Sequence, residues 1–181
     1  MILEIFMTRS CDGLKKTEYD ILLSAVPEEK RQQIQNQKIK HNADNSLIGI
    51  SLVKAAVSKT FSVPVSDIML CYQNGKPYIK SHENIFVSIS HSRDLVVCAV
   101  SDVPVGIDTE KIRPYNPAVA SRVFHKDEVM TDSLYTKEWT VLEAALKLKG
   151  TDAFRSREVL SGVKTDSILF DDYWITVAYS L

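Results

Sequence analysis

Asp108 and Glu110 lie in Gly106-Ile107-Asp108-Thr109-Glu110, and residues two apart on a β-strand point to the same face. Two adjacent carboxylates repel unless a cation sits between them, and oxygen-only donors suit magnesium. In the segment from Trp139 to Gly150, Trp139, Glu143 and Lys147 recur at helical spacing, so one helix face carries an acid and, a turn on, a cation. Glu143 could join the same metal, and Lys147 could meet a phosphate oxygen. Val87-Ser88-Ile89-Ser90-His91-Ser92 reads as an apolar strand ending in a hydroxyl and an imidazole where a loop begins, a cradle for a phosphate. No G-x-S-x-G elbow surrounds Ser90 or Ser92, so a serine nucleophile has little support. Gly75-Lys76-Pro77 projects a lysine from a turn. Singly, each has a plainer explanation: exposed acids at a strand end, a surface Glu–Lys pair worth about 0.2–0.5 kcal/mol, a structural histidine, an ordinary hairpin.

The elements that must position these groups alternate in type. Met1 to Met7 reads as a first strand; it carries Glu4 and lacks a basic lead-in, which argues against a signal peptide. Leu14 to Val26 has roughly helical spacing. Pro27 opens a second, almost wholly polar helix over Glu28 to Lys40. The third helix, Ala43 to Phe61, places Leu47, Ile50, Val53 and Val57 on a core stripe and stops at Val63-Pro64. Asp67 to Gln73 is strand-like, Asn74-Gly75 is a turn, and Lys76 to Ile79 leads back. Ile85 to Ser90, Leu95 to Ser101 and Val103 to Glu110 are further strands. Pro117 to Phe124 and Lys126 to Met130 are short helices, and Leu134 to Lys149 is a longer one capped by Gly150. Ser167 to Phe170 and Tyr173 to Tyr179 form a last hairpin. This order predicts an α+β protein of two halves, 1–102 and 103–181, each a small, mostly antiparallel sheet packed with helices.

Bulk properties exclude little. The 181 residues are 45% hydrophobic, enough for a real core, and the net charge of −1 gives no reason to expect nucleic acid, so any anion site must be built locally. Three scattered cysteines without C-x-x-C spacing suit reduced thiols better than a disulfide framework or zinc. No apolar run reaches membrane-spanning length, and a cytoplasmic, soluble protein is expected.

Taken in order, G-K-P, then S-H-S, then G-I-D-x-E, then W-T-x-x-E-A-x-x-K resembles the 4′-phosphopantetheinyl transferase superfamily, in its pseudo-dimeric branch. The likeness is dense from Gly75 to Gly150 and looser from Met1 to Phe61. It implies the two-halved fold of that family, with an N-terminal half that binds the nucleotide of coenzyme A and a C-terminal half that holds the metal and does the chemistry. It also implies transfer of 4′-phosphopantetheine from coenzyme A to a serine of an acyl or peptidyl carrier protein, with 3′,5′-ADP released. Asp108, Glu110 and Glu143 match the ligands of Mg²⁺, with Mn²⁺ an alternative, and Glu143 or a water on the metal is the expected base. Lys147 matches a lysine that meets coenzyme A phosphate, and Lys76 matches the G-K-P lysine. Ser90 and His91 match the pair on the 3′-phosphate, with Lys30 reaching the same end. Lys111, Arg113, Arg122 and Lys126 follow the metal strand as candidate contacts to an acidic carrier. Two halves in one chain would form the cleft internally, so a monomer is expected, with no membrane or nucleic-acid partner.

Three positions depart from the family pattern. Leu142, Asn45 and Gln33 stand where basic residues are common, and a charge-assisted hydrogen bond is worth about 1.5–3 kcal/mol. If all three face phosphate, coenzyme A binding is badly weakened, unless Arg31, Lys38, Lys40 or Lys149 compensates. The alternative expectation is therefore a non-catalytic homologue that binds a carrier protein or coenzyme A. A metal-dependent hydrolase of a small phosphorylated compound would explain the acids but not G-K-P or S-H-S.

Overall fold

Every residue of the stretch Leu95–Ser101 is buried, and this strand is the middle of the molecule. A computed structural model describes residues 1–124, 129–151 and 159–180. The N-terminal elements are β1 (Leu3–Arg9), α1 (Lys16–Ser24), α2 (Glu28–Gln35), α3 (Lys40–Phe61), β2 (Leu70–Gln73), β3 (Lys76–Ile79), β4 (Phe86–Ser92) and β5 (Leu95–Ser101). Beyond Asp102 come β6 (Val105–Lys111), α4 (Pro117–Phe124), α5 (Asp132–Lys149), β7 (Lys164–Phe170) and β8 (Tyr173–Tyr179). The sheets are β1-β5-β4, the hairpin β2-β3, and β6-β8-β7, and every ladder within them is antiparallel. The architecture is α+β with small antiparallel sheets and helices against them, the class expected from the order of patterns.

Alternation along β5 assigns its two faces. Cys98 and Val100 join the core under α3, with Leu47, Ile50, Val53 and Val57 of the predicted stripe. Leu95, Val97 and Ala99 pack instead with Val105 and Ile107 of β6 and Tyr173, Ile175 and Val177 of β8. The two sheets thus share an apolar seam between β5 and the β6–β8 pair, whose burial holds them together.

Local chemistry explains most boundaries. Asn74 and Gly75 both have positive φ, 50° and 78°, as a two-residue hairpin turn of the primed type requires. Thr131 caps α5 by accepting from the Leu134 amide, and Gly150 closes it in the left-handed region at φ 64°. The polar helix stops at Gln35, short of Lys40, because Ile34 alone among its residues is buried and Lys40 already begins α3. Val65–Asp67 is a short 3₁₀ turn, so the strand predicted from Asp67 begins at Leu70. The helix predicted over Lys126 to Met130 lies largely outside the described residues, and Val129 and Met130 are not helical.

Candidate active site

Gly106 decides how the acidic strand meets the acidic helix. A Cβ there would sit 2.1 Å from the Ala144 carbonyl oxygen and 2.5 Å from the Leu148 amide nitrogen, so only glycine lets α5 lie directly on β6. That close approach brings Glu143 and Lys147 beside Asp108. Asp108, Glu110, Glu143, Arg113 and Lys147 border one cavity of about 410 Å³.

Asp108 is 5% exposed. Its Oδ1 accepts from Ser90 Oγ at 2.8 Å and from Lys147 Nζ at 2.8 Å, while its buried Oδ2 has no hydrogen-bond partner. Lys147 Nζ also donates to Ser90 Oγ at 2.9 Å. Glu110 Oε2 accepts from Ser92 Oγ at 2.9 Å. Burial pushes both Glu110 and Glu143 above the ordinary carboxylate range, and the charge of Asp108 pushes the same way on each. Arg113 lowers both, with its guanidinium 4.5 Å from the Trp139 ring centre and 5.5 Å from that of Tyr135.

Among the described residues no group of three His, Cys, Asp or Glu side chains is set to grip a metal ion as it stands. The donor set nevertheless fits a hard divalent cation in its chemistry. A buried carboxylate oxygen lacks a partner, two further carboxylates border the same cavity, and burial and Asp108 together disfavour their charged forms. Such a cation would take the place that Lys147 now holds at Asp108.

The other end of the cleft has the opposite character. Ile89 borders the acidic cavity and two neighbours, of about 440 Å³ and 150 Å³. Lys30, His91 and Tyr72 border the smallest, and the buried Tyr72 hydroxyl has no partner. Lys30 Nζ lies 4.7 Å from the Tyr72 ring centre and 3.4 Å from Gln33 Oε1. Burial lowers the Lys30 pKa; burial, Lys147 and His41 lower that of His91. Lys76 borders the largest cavity, its pKa also lowered by burial, and donates to the Leu148 carbonyl at 3.0 Å. That carbonyl belongs to the last turn of α5, whose unpaired oxygens favour a cation. Lys76 thereby ties the β2–β3 hairpin to the second half.

Several expectations need correction. Ser-His-Ser does not start a loop: β4 runs on through Ser92, and Ser90 is buried against Asp108 and Lys147. Asn45 is 0% exposed; its Nδ2 donates to the Arg93 carbonyl at 2.7 Å and its Oδ1 accepts from Ser10 Oγ. Leu142 is 1% exposed and packs with Val123, Ala145 and Val159. Neither position faces the cleft, so neither marks a lost phosphate contact. Of the three departures only Gln33 is exposed, beside Lys30. Lys111 pairs with Asp172 at 2.9 Å, Arg122 is exposed on α4, and Lys126 lies outside the described residues.

Sequence reasoning missed two site residues. Arg113 enters as a candidate surface contact, yet it borders the acidic cavity: β6 ends at Lys111, and two residues on, the Arg113 guanidinium lies over the Trp139 ring. Ser92, read as part of a phosphate cradle and as a weakly supported nucleophile, holds Glu110. Its signal was the alternation Ser88, Ser90, Ser92 on one strand face.

The cleft between the two joined sheets, with Lys30 and His91 at one end and three carboxylates at the other, suits a polyanionic ligand accompanied by a cation. Residues 14–103 match the family described as 4′-phosphopantetheinyl transferase, N-terminal. The chain is 34% identical over 149 residues to a 4′-phosphopantetheinyl transferase of Bacillus subtilis, a match spanning 76% of this chain and 66% of that one. It is 32% identical over 157 residues to 4′-phosphopantetheinyl transferase Sfp of Bacillus subtilis strain 168, spanning 81% and 68%. With 4′-phosphopantetheinyl transferase psf-1 of Bacillus pumilus it shares 32% over 149 residues, spanning 77% and 64%. The chain belongs to the 4′-phosphopantetheinyl transferase family. It spans about two-thirds of the length of these relatives. Among the described residues no helix is long and apolar enough to cross a membrane.

Proposed function

We propose that this chain transfers the 4′-phosphopantetheine group of coenzyme A to a serine hydroxyl of an acyl or peptidyl carrier protein and releases 3′,5′-ADP. The observation that carries this reading is the shared cavity of Asp108, Glu110, Glu143 and Lys147, joined through Ile89 to the cavity of Lys30 and His91. Coenzyme A has its charge at two separated places, the diphosphate and the 3′-phosphate. Lys30 and His91 would hold the 3′-phosphate, and Lys76 and Lys147 the path between, while Ser90, expected beside His91, stays with Asp108 and Lys147.

Asp108, Glu110 and Glu143 would hold Mg²⁺, or Mn²⁺, against the diphosphate. Once bound, the ion would supply positive charge where negative charge develops on the leaving oxygen. The bond between the β-phosphorus and its bridging oxygen breaks as the serine oxygen bonds to that phosphorus. Glu143, or a water held at the ion, takes the serine proton. Lys147, which donates to Asp108 and Ser90, would move from carboxylate to phosphate when the ligand enters. The enzyme forms no covalent intermediate and works as a cytoplasmic monomer, with 1–102 chiefly holding the nucleotide and 103–181 the chemistry.

The non-catalytic reading loses two of its three motives, since Leu142 and Asn45 are buried away from the cleft, and keeps only Gln33. The test is incubation of the purified chain with Mg²⁺, coenzyme A and a panel of apo-carrier proteins, read by mass spectrometry. Carriers gaining phosphopantetheine are expected. Binding without gain across the panel would overturn transfer, and coenzyme A breakdown without a carrier would indicate a hydrolase.

A further inference from the structure

β4 and β6 belong to different sheets, yet they run alongside each other in one direction, joined by serines. Ser88 Oγ accepts from the Ile107 amide at 3.0 Å, Ser90 Oγ from the Thr109 amide at 3.4 Å, and Ser92 Oγ from the Lys111 amide at 3.2 Å. Residues two apart on β4 thus meet residues two apart on β6, as the common period demands. A hydroxyl has one proton to donate, and an amide on its oxygen restricts where that proton points. Ser90 spends its proton on Asp108 Oδ1 and Ser92 on Glu110 Oε2, in each case the residue just before the amide it accepts from. Ser88 faces Gly106 at the equivalent place, where there is no side chain to hold.

We infer that Ser92 is a positioning residue: a hydroxyl from the first half fixes the direction of the Glu110 carboxylate in the second, so that the seam itself presets one arm of the carboxylate face. This rests on the reading of Asp108, Glu110 and Glu143 as ligands of a divalent ion. Ser92 does not touch the ion; it limits the rotation of a group that would. Partners of this kind typically change metal affinity by about 10–100-fold when removed.

The test uses the full chain and Mn²⁺ alone, with free Mn²⁺ followed by electron paramagnetic resonance during titration. Ser92→Ala should weaken Mn²⁺ binding by about tenfold or more. Ser92→Thr, which retains the hydroxyl, should stay within about twofold of the parent. Ser88→Ala loses a seam hydrogen bond of the same kind but no carboxylate contact, and should bind Mn²⁺ as the parent does. Thermal unfolding checks that each variant is folded; should alanine at 92 prevent folding, Ser92→Cys, a weak donor of similar size, takes its place with the same expected loss. If Glu110→Gln weakens Mn²⁺ and Ser92→Ala does not, the role of Ser92 is overturned while the ion site stands. If Ser88→Ala weakens it as much as Ser92→Ala, the serines merely hold the seam, and the inference again fails. If neither Glu110→Gln nor Asp108→Ala weakens it, the ion reading fails and takes this inference with it.

Discussion

The two ends of the cleft are opposite in what they lack. Around Lys30, Tyr72 and His91, burial has disfavoured positive charge and left a hydroxyl unpaired, with no carboxylate paired to Lys30 among the described residues. Around Asp108, Glu110 and Glu143, burial and mutual repulsion disfavour negative charge and leave a carboxylate oxygen unpaired. Each end is poor in isolation and would be improved by a different visitor, an anion at the first and a cation at the second. A ligand carrying anionic groups at both ends, together with a divalent ion at one of them, satisfies both. Coenzyme A with its metal is such a pair.

The comparison can be broken from its acidic end first. Asp108→Ala removes the residue that joins Ser90, Lys147 and the unpaired oxygen. Transfer should fall by at least about 10²–10³-fold, the scale for losing a group aimed at developing charge, with the unfolding midpoint little changed. An undiminished rate would remove Asp108 from the mechanism. Gly106→Ala should act more broadly. The added methyl overlaps α5 backbone, so stability should drop by about 1–3 kcal/mol, and transfer should fall with it as Glu143 and Lys147 shift from Asp108. Thermal denaturation beside a rate assay would show both, and a variant with parental stability would refute the close packing.

At the cationic end the effects should be smaller. Lys30→Ala removes one charge-assisted contact, so the coenzyme A dissociation constant should rise by roughly tenfold to a hundredfold, corresponding to about 1.5–3 kcal/mol. The turnover number should change far less, and calorimetry against saturating kinetics would separate the two. Smaller still is the pH dependence of His91. Burial and Lys147 hold its pKa below 6.5, so it is neutral at pH 7, and its fold contribution is lost as pH falls through that lowered value. A bound phosphate favours the imidazolium and raises the pKa again, so binding takes up a proton. Coenzyme A affinity should therefore rise a few-fold as pH drops from about 7.5 to about 6, and His91→Gln should flatten that slope. An equal slope in both proteins would place the proton elsewhere.

What could be read from sequence followed from periodicity. Period two put Asp108 and Glu110 on one face, helical spacing put Glu143 and Lys147 on another, and Asn74-Gly75 announced its hairpin. All three are local, and all three stand in the structure. The failures involve partners far along the chain. Nothing near Asn45 reveals that Ser10 and the Arg93 carbonyl close around it. Leu142 precedes Glu143 by one step, about 100° around the helix, so it faces the core while Glu143 faces the cleft. Treating it as a missing cation compared residue types without helix phase. The serine alternation was visible, but its meaning depends on β4 lying beside β6, a tertiary pairing across the seam.

The claim beneath all this is that three carboxylates from β6 and α5 close on one ion when the diphosphate arrives. Crystals grown with Mn²⁺ and coenzyme A, measured near the manganese absorption edge, would locate that ion directly. One anomalous peak within about 2.0–2.3 Å of oxygens from Asp108, Glu110 and Glu143, and of the diphosphate, is expected. A peak bound elsewhere, or coenzyme A seated in the cleft with no ion among these three side chains, would contradict the account.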